Sequence, residues 1–527
     1  MSQFRVLALD NLQAVGINYL KEQGFDVDVK GKMKPEELKE VIDSYDAIIV
    51  RSGTKVTAEA LEGVTRLKVI GRAGIGVDNI DIPAATKSGV VVMNTPGGNT
   101  VTTAEHTIAL MMALVRNIPQ ADRSMKEGKW EKSKFLGMEV CDKTLGVIGL
   151  GNIGKIVADR ARGLRMRVVG FDPYVSPDDA ARLGVELVSL DELFSKSDII
   201  TVHTPLTPET KDLINAESIA KMKDGVYIIN CARGGIVNEA DLVAAIESGK
   251  VAGAALDVYP KEPPDPDSPV LKSDRIVCTP HLGASTIEAQ EKVALQIAEQ
   301  IVDYLVRGTI RNSVNFPSIS AELVPVLRPY IDLGERLGSF HGQLLEGRPS
   351  EITVEYLGEI SQLSTDPVTI AVLKGMLQHL FEGVNLVNAR MVAEERGIKV
   401  TETRNPRSED YASLVRVKVA SNGREFSCSG TLFGSEPMVV KLMGFHIEAH
   451  LEGSIIMMNN QDVPGVLGRV GTYLGERGIN IAGLQLGRES IGGTAVSLIN
   501  VDQEVSEEIL EGLKKLPNIT DARYLKF

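Results

Sequence analysis

Residues 144–172 read TLGVIGLGNIGKIVADRARGLRMRVVGFD. An apolar run enters the turn Gly149-Leu150-Gly151-Asn152-Ile153-Gly154, and a helical pattern follows. A second apolar run ends at Asp172, with 17 residues between it and Gly154. Each part has a mechanical reason. Gly149 permits a tight turn, Gly151 lets the backbone approach a pyrophosphate, and Gly154 lets the helix pack close to the sheet. The helix N-terminus offers free N–H groups and the positive end of its dipole to phosphate. Asp172 can accept hydrogen bonds from the adenosine ribose hydroxyls and would repel a 2′-phosphate, which favours NAD over NADP. A glycine triplet alone is weak evidence, but this one stands in strand–turn–helix–strand order with the acid in place.

The same alternation spreads outward over residues 1 to about 310, in runs such as FRVLAL, DAIIV, VVVMNT, DIITVH, GVYIINCAR and RIVCTPH. Strands alternating with amphipathic helices predict βαβ units and doubly wound parallel sheets. The runs are almost wholly apolar, as strands covered on both faces are. Residues 96–105, PGGNTVTTAE, read as a Gly/Thr loop closing on a capping box of Thr102 and Glu105, which opens a long buried helix, TIALMMALV. A second long helical pattern follows HLGAST and can cross back. Two lobes are therefore predicted, one from 1–95 with 283–312 and the other from 96–282.

After NSVNFPSI the texture changes. Residues 317–450 hold helical stretches and then strand-like pieces (EITVEYLG, SLVRVKVA, REFSCSGTLFG), predicting an α+β domain whose composition points to no particular chemistry. Residues 453–527 read β-α-β-β-α-β, the ferredoxin-like plan, with Pro464 as a first-turn helix proline.

At roughly 150 residues per domain, 527 residues suit three or four domains. The net charge of −13 argues against nucleic acid or an anionic membrane as partner, and an anionic substrate would need a local cationic pocket. The four cysteines are scattered, without a C-x-x-C pair. No metal site or disulfide framework is predicted, and a reducing cytoplasm is the simplest setting. The opening MSQFRVLALD reads as a first strand rather than a signal peptide, and no apolar run nears the ~20 residues a membrane span needs.

Three polar residues follow apolar runs, where strand carboxyl ends face the ligand crevice. Arg233 follows VYIIN, Glu262 lies in the loop YPKEPPDPD, and His281 follows RIVCTP. Alone, each is an ordinary surface or structural residue. Together they supply hydride chemistry. Oxidising a hydroxyl requires a base, and histidine titrates nearest neutrality, so His281 is the candidate general base. Glu262 would orient and stabilise the imidazolium. Arg233 would hold a substrate carboxylate and polarise the reacting oxygen.

Five motifs in order (GLGNIG with Asp172, HTPLTPET, NCARGGIVNEADL, DVYPKEPP, TPHLGAST) resemble the D-isomer-specific 2-hydroxyacid dehydrogenase family over about 1–312. The resemblance implies a Rossmann-type NAD lobe and a flavodoxin-like substrate lobe. It implies catalytic roles for Arg233, Glu262 and His281. It also places Asn152, Ile153, Thr204, Cys231, Ala232, Arg233, Asp257, His281 and Gly283 near the dinucleotide.

The stretches IIVRSGTKVT, VIGRAGIGVDNIDI and VMNTPGGNTVTTAEHTIALMMALVRNIPQA resemble the substrate side of the branch acting on 3-phosphoglycerate. Arg51 and Arg72 would meet the phosphate, backbone N–H groups at Gly74 and Ile75 the carboxylate, and Ser52 and Asn99 are further substrate contacts. Ile75 stands where some relatives carry a polar residue, so only its backbone can serve. Lys132 or Lys134 can add to the phosphate site from a neighbouring subunit. Residues 453–527 resemble the ACT domain, in which Asp462 and Asn480 match positions that bind an amino acid, such as L-serine, across a paired interface. HLFEGVNLVNARMVAEERGIKV resembles the intervening, allosteric-substrate-binding domain of long-chain members of that branch. Paired ACT modules imply a homo-oligomer, dimer or tetramer. Two other readings use the same residues: a glyoxylate or hydroxypyruvate reductase, and an NADH-sensing corepressor working by protein contacts.

Overall fold

The computed structural model describes residues 4–317, 323–408 and 410–527. The stretch NSVNFPSI and the start of the domain expected from residue 317 therefore fall partly outside the described residues.

The first sheet holds β1 (Arg5–Ala8), β2 (Asp26–Val29), β3 (Ala47–Val50), β4 (Val69–Arg72) and β5 (Val91–Met93) in the order β2-β1-β3-β4-β5. All its pairings are parallel. Side chains alternate between two cores: Val6, Ala8 and Ile49 enter one, Leu7, Ile48 and Val50 the other. Burial on both faces is what the unbroken apolar runs anticipate. The edge strand β2 reads DVDV and is half-exposed. Acidic residues on an edge discourage further pairing.

The second sheet holds β6 (Thr144–Ile148), β7 (Arg167–Phe171), β8 (Glu186–Leu187), β9 (Ile199–Val202), β10 (Val226–Asn230), β11 (Val251–Leu256) and β12 (Ile276–Cys278). Its order is β12-β11-β10-β9-β6-β7-β8, again parallel. Strand order reverses between β6 and β9, and such a switch point opens a crevice at the carboxyl ends.

Two helices join the lobes. The hinge helix, Thr100–Val115, is capped by Asn99, and no side-chain cap bond forms. The expected capping box is absent because the chain enters the helix three residues early, with Asn99 instead of Thr102 at the cap. Thr102 is then already helical and bonds Thr286 Oγ1 instead, while Glu105 is exposed. The crossover helix, Ile287–Arg307, returns to the first lobe, where Val293, Ile297 and Ile301 join its core. It opens on Thr286, whose hydroxyl accepts from Ala289 N, and closes on Gly308 in the left-handed conformation. The chain then runs past residue 312 along the first sheet, where Ser313 pairs antiparallel with Met93.

A mixed sheet follows, built from β13 (Pro349–Gly358), β14 (Lys399–Asn405), β15 (Ser413–Ser421), β16 (Arg424–Phe433), β17 (Glu436–Leu442) and β18 (Phe445–Ala449). The helices Val324–Leu344 and Asp366–Leu377 contribute Leu333, Leu337, Phe340, Val372 and Met376 to its core. The last sheet, β19 (Ser454–Gln461), β20 (Ile481–Arg488), β21 (Thr494–Val501) and β22 (Ile519–Lys526), has the order β20-β21-β19-β22 and is antiparallel throughout. Its first helix, Val466–Gly475, starts after Gly465, so Pro464 precedes the cap instead of occupying the first turn.

Candidate active site

The dinucleotide turn comes first. Gly149 directly follows β6 at φ 93°, a left-handed conformation that suits glycine. A Cβ on Gly154 would lie 1.9 Å from Gly149 O, so only glycine lets the helix Asn152–Gly163 meet the turn. A Cβ on Gly151 would meet nothing within 4 Å, which leaves its face of the turn open to a ligand. No side chain caps that helix, so its first N–H groups stay available to phosphate. Asp172 lies beside the turn, accepting from Leu150 N at 2.8 Å and from Tyr174 N at 2.9 Å. These features fit an NAD pyrophosphate and ribose.

The crevice continues into a cleft of about 590 Å³ between the lobes. One wall carries Arg51, Ser52, Arg72, Gly74, Ile75 and Asn99, and the other carries Ile153, Thr204, Cys231, Ala232, Arg233, Glu262 and His281. Gly149, Gly151, Asn152, Gly154 and Asp172 lie outside this lining, in the turn just described. Asp257 and Gly283 are also outside it, buried under the loop that carries His281. Lys132 and Lys134 sit on the exposed turn Lys132–Phe135 and do not line the cleft.

His281 Nδ1 lies 2.7 Å from Glu262 Oε2. That bond raises the imidazole pKa above its ordinary value, against the opposing effect of burial. Burial pushes the Glu262 carboxyl up, but its bond to His281 and the Tyr259 N–H hold it below the usual range. The pair is therefore a carboxylate against a basic imidazole, with Nε2 left for a substrate proton. Arg233 is steadied from behind, because Asn230 Nδ2 donates to Arg233 O and Asn230 Oδ1 accepts from Ala232 N. Its Nε lies 3.6 Å from Asp78 Oδ2, across the cleft.

Arg72 is the most perturbed cation. Burial, reinforced by the like charges of Arg51 and Arg233, brings its guanidinium down to about 10. Its Nε is buried without a hydrogen-bond partner, as are Asn99 Oδ1 and Thr204 Oγ1. Buried polar atoms of this kind ordinarily find partners, so these three are suited to a polar ligand. Arg51 is fixed by Asp10, whose carboxylate accepts from Arg51 N at 2.9 Å and from Thr54 N at 3.0 Å.

Several lining residues escape the sequence reading, among them Asp78, His203, Tyr259, Ser285 and Gln290. His203 directly follows β9, and that position at a strand carboxyl end is a usable signal. Burial holds its imidazole neutral, at about 3. Ser285, just before the crossover helix, and Gln290, in its first turn, line the cleft through the packing of the two lobes, which no local pattern reveals.

In the last sheet's domain, Asp462 lines a hollow of about 350 Å³ and bonds Arg488 at 2.8 Å. Asn480 lies elsewhere, held by Asp502 Oδ2 and Gln503 Oε1. One chain does not bring Asp462 and Asn480 into the same hollow. Among the described residues no helix is long and apolar enough to cross a membrane, and no cluster of three metal-ligating side chains occurs.

Comparison with known families matches residues 108–283 to the NAD-binding domain of D-isomer specific 2-hydroxyacid dehydrogenases. Residues 326–443 match the D-3-phosphoglycerate dehydrogenase intervening domain, and residues 454–518 the ACT domain. A D-3-phosphoglycerate dehydrogenase of Archaeoglobus fulgidus is 48% identical over 99% of this chain and 100% of its own. One of Synechocystis sp. is 44% identical, over 99% and 94%.

The chain belongs to the D-isomer-specific 2-hydroxyacid dehydrogenase family, among the D-3-phosphoglycerate dehydrogenases.

As in that family, it is an NAD-dependent dehydrogenase. A solved NAD-dependent formate dehydrogenase of Staphylococcus aureus, in complex with NAD, aligns at a TM-score of 0.54 and 30% identity. It covers 60% of this chain and 100% of its own, consistent with a two-lobed dehydrogenase unit to which this chain adds two further sheets.

Proposed function

We propose that this chain oxidises 3-phospho-D-glycerate to 3-phosphohydroxypyruvate, the reaction that opens L-serine synthesis. The observation that carries the reading is the pairing, across one cleft, of Arg51 and Arg72 with Arg233, Glu262 and His281. Arg233 clamps the substrate carboxylate with the backbone at Gly74 and Ile75. His281 takes the hydroxyl proton through Nε2, and Glu262 stabilises the imidazolium. NAD, held at the glycine turn of residues 149–154 and by Asp172, would supply the hydride acceptor. Arg51, Arg72, Ser52 and Asn99 receive the phosphate, whose oxygens would give the buried, unpartnered Arg72 Nε–H an acceptor. Two cations in a chain of net charge −13 give the local pocket an anionic substrate requires.

The ACT domain is read as an amino-acid sensor in a homo-oligomer, dimer or tetramer. Asp462 of one copy and Asn480 of another would then share an L-serine, which accounts for their separation within one chain. The four free cysteines suit a reducing cytoplasm.

The reading is tested by substituting Arg51→Gln and Arg72→Gln. A charge-assisted contact contributes about 1.5–3 kcal/mol. The kcat/KM for 3-phosphohydroxypyruvate should then fall by about ten- to a hundredfold per substitution, while that for unphosphorylated hydroxypyruvate stays within about threefold. Equal losses on both substrates would remove the phosphate role.

A further inference from the structure

We propose that His106 is a positioning residue that acts on His281 through Asp257. The inference rests on His281 as the base and adds a residue outside the cleft lining. His281 sits at φ 56°, a left-handed conformation that a residue with a side chain adopts only when its surroundings impose it. What imposes it is Asp257. The Asp257 carbonyl accepts from His281 N at 2.9 Å. Its carboxylate accepts from Thr279 Oγ1 at 2.6 Å, Leu282 N at 2.7 Å and Gly283 N at 2.9 Å. The whole turn on which His281 rides is therefore hung on one side chain, and that side chain has no solvent exposure.

Burial would raise the Asp257 carboxyl, yet its donors hold it below the usual range, so it is a carboxylate. A carboxylate only accepts. His106 Nε2 lies 3.2 Å from Asp257 Oδ1 and 3.4 Å from Thr279 Oγ1, whose own proton is committed to Asp257. His106 must then present an N–H at Nε2, which fixes its tautomer. It is the fourth donor to the anion and comes from the hinge helix, not from the loop itself. The same helix holds the turn at Thr103, which bonds Gly283 O at 2.9 Å, and at Thr102, which meets Thr286. Of these contacts His106 alone reaches the Asp257 carboxylate, so it sets where that buried charge sits and hence where His281 points. Removing one partner of a buried charge is costly, and the loop can relieve the cost by shifting. Displacements near 1 Å at a reacting group cost up to about a hundredfold in rate.

The test uses the full chain as wild type, His106→Leu and His106→Gln, the latter restoring an N–H donor near the Nε2 position. Reduction of 3-phosphohydroxypyruvate, hydroxypyruvate and glyoxylate by NADH is followed, with NADH affinity by fluorescence. His106→Leu should lower kcat about tenfold on every keto acid the wild type reduces, with keto-acid KM and NADH Kd within about twofold. His106→Gln should recover most of kcat. Unchanged kcat in His106→Leu would overturn the proposal. So would a joint loss of kcat and NADH affinity that His106→Gln does not repair, since that marks a merely structural role. Failure of the substrate reading looks different: the wild type itself then prefers an unphosphorylated keto acid, and the variant-to-wild-type ratio is read on that one.

Discussion

At the residue scale the decisive feature is the coupling of Glu262 to His281. Hydroxyl oxidation needs the neutral imidazole, so its rate falls as pH drops through the His281 pKa. Keto-acid reduction needs the protonated ring, so its rate falls as pH rises through the same value. Glu262 holds that pKa above the ordinary imidazole value. Glu262→Gln should therefore move both limbs to lower pH and lower kcat by about a hundredfold. Steady-state pH profiles in the two directions check this, and limbs that do not move would separate Glu262 from the base. Arg233, Glu262 and His281 were legible in the sequence because each directly follows an apolar strand or its loop. His106 and Asp10 were not, because their roles exist only through Asp257 and Arg51, far away in the chain. Asp257 shows the same gap. The resemblance implies a place near the dinucleotide, and the structure adds that its carboxylate holds the turn that carries His281.

Among the elements, the dinucleotide turn has the least freedom. Gly154→Ala would drive a Cβ into Gly149 O, and overpacking of this kind costs about 1–3 kcal/mol. NADH affinity should fall by about tenfold or more, measured by fluorescence titration, with a lower unfolding midpoint. Affinity equal to wild type would mean that the helix does not need its close approach. The turn was readable because glycine spacing is a local, mechanical signal. Helix starts were less so. Thr102 and Glu105 have the spacing of a capping box, but the turn at Gly97 and Gly98 brings the chain into the helix at Thr100, and tertiary contact with Thr286 claims the hydroxyl. Likewise Pro464 has the sequence position of a first-turn proline, but Gly465 at φ 88° makes the cap. Strand β2 carries only a polar edge pattern and depends on β1 for its place.

For the whole molecule, the question is how the added domains reach the cleft. Asn385 Nδ2 donates to Gly89 O at 3.0 Å, and Val387 enters the first lobe's core. Gly89 leads directly into β5, whose neighbour β4 ends at Arg72. Gly89→Ala would place a Cβ 2.0 Å from Asn385 Nδ2. Amide exchange should then rise at residues 87–90 and 385–389, while NADH affinity stays within about twofold, as local opening without loss of the NAD lobe requires. Unchanged exchange would show that this contact does not hold the domains together. The sequence marked where the texture changes but not this docking, because the Asn385 loop has no partner until the fold supplies one.

The most direct measurement is NADH consumption by the unmodified chain with 3-phosphohydroxypyruvate, hydroxypyruvate and glyoxylate, each with and without L-serine. The proposed chemistry requires the phosphorylated keto acid to give a kcat/KM at least about a hundredfold above the others, the span of two charge-assisted contacts. Suppression by serine would assign the ACT hollow its effector. Preference for hydroxypyruvate or glyoxylate would contradict the roles of Arg51 and Arg72 and with them the central claim.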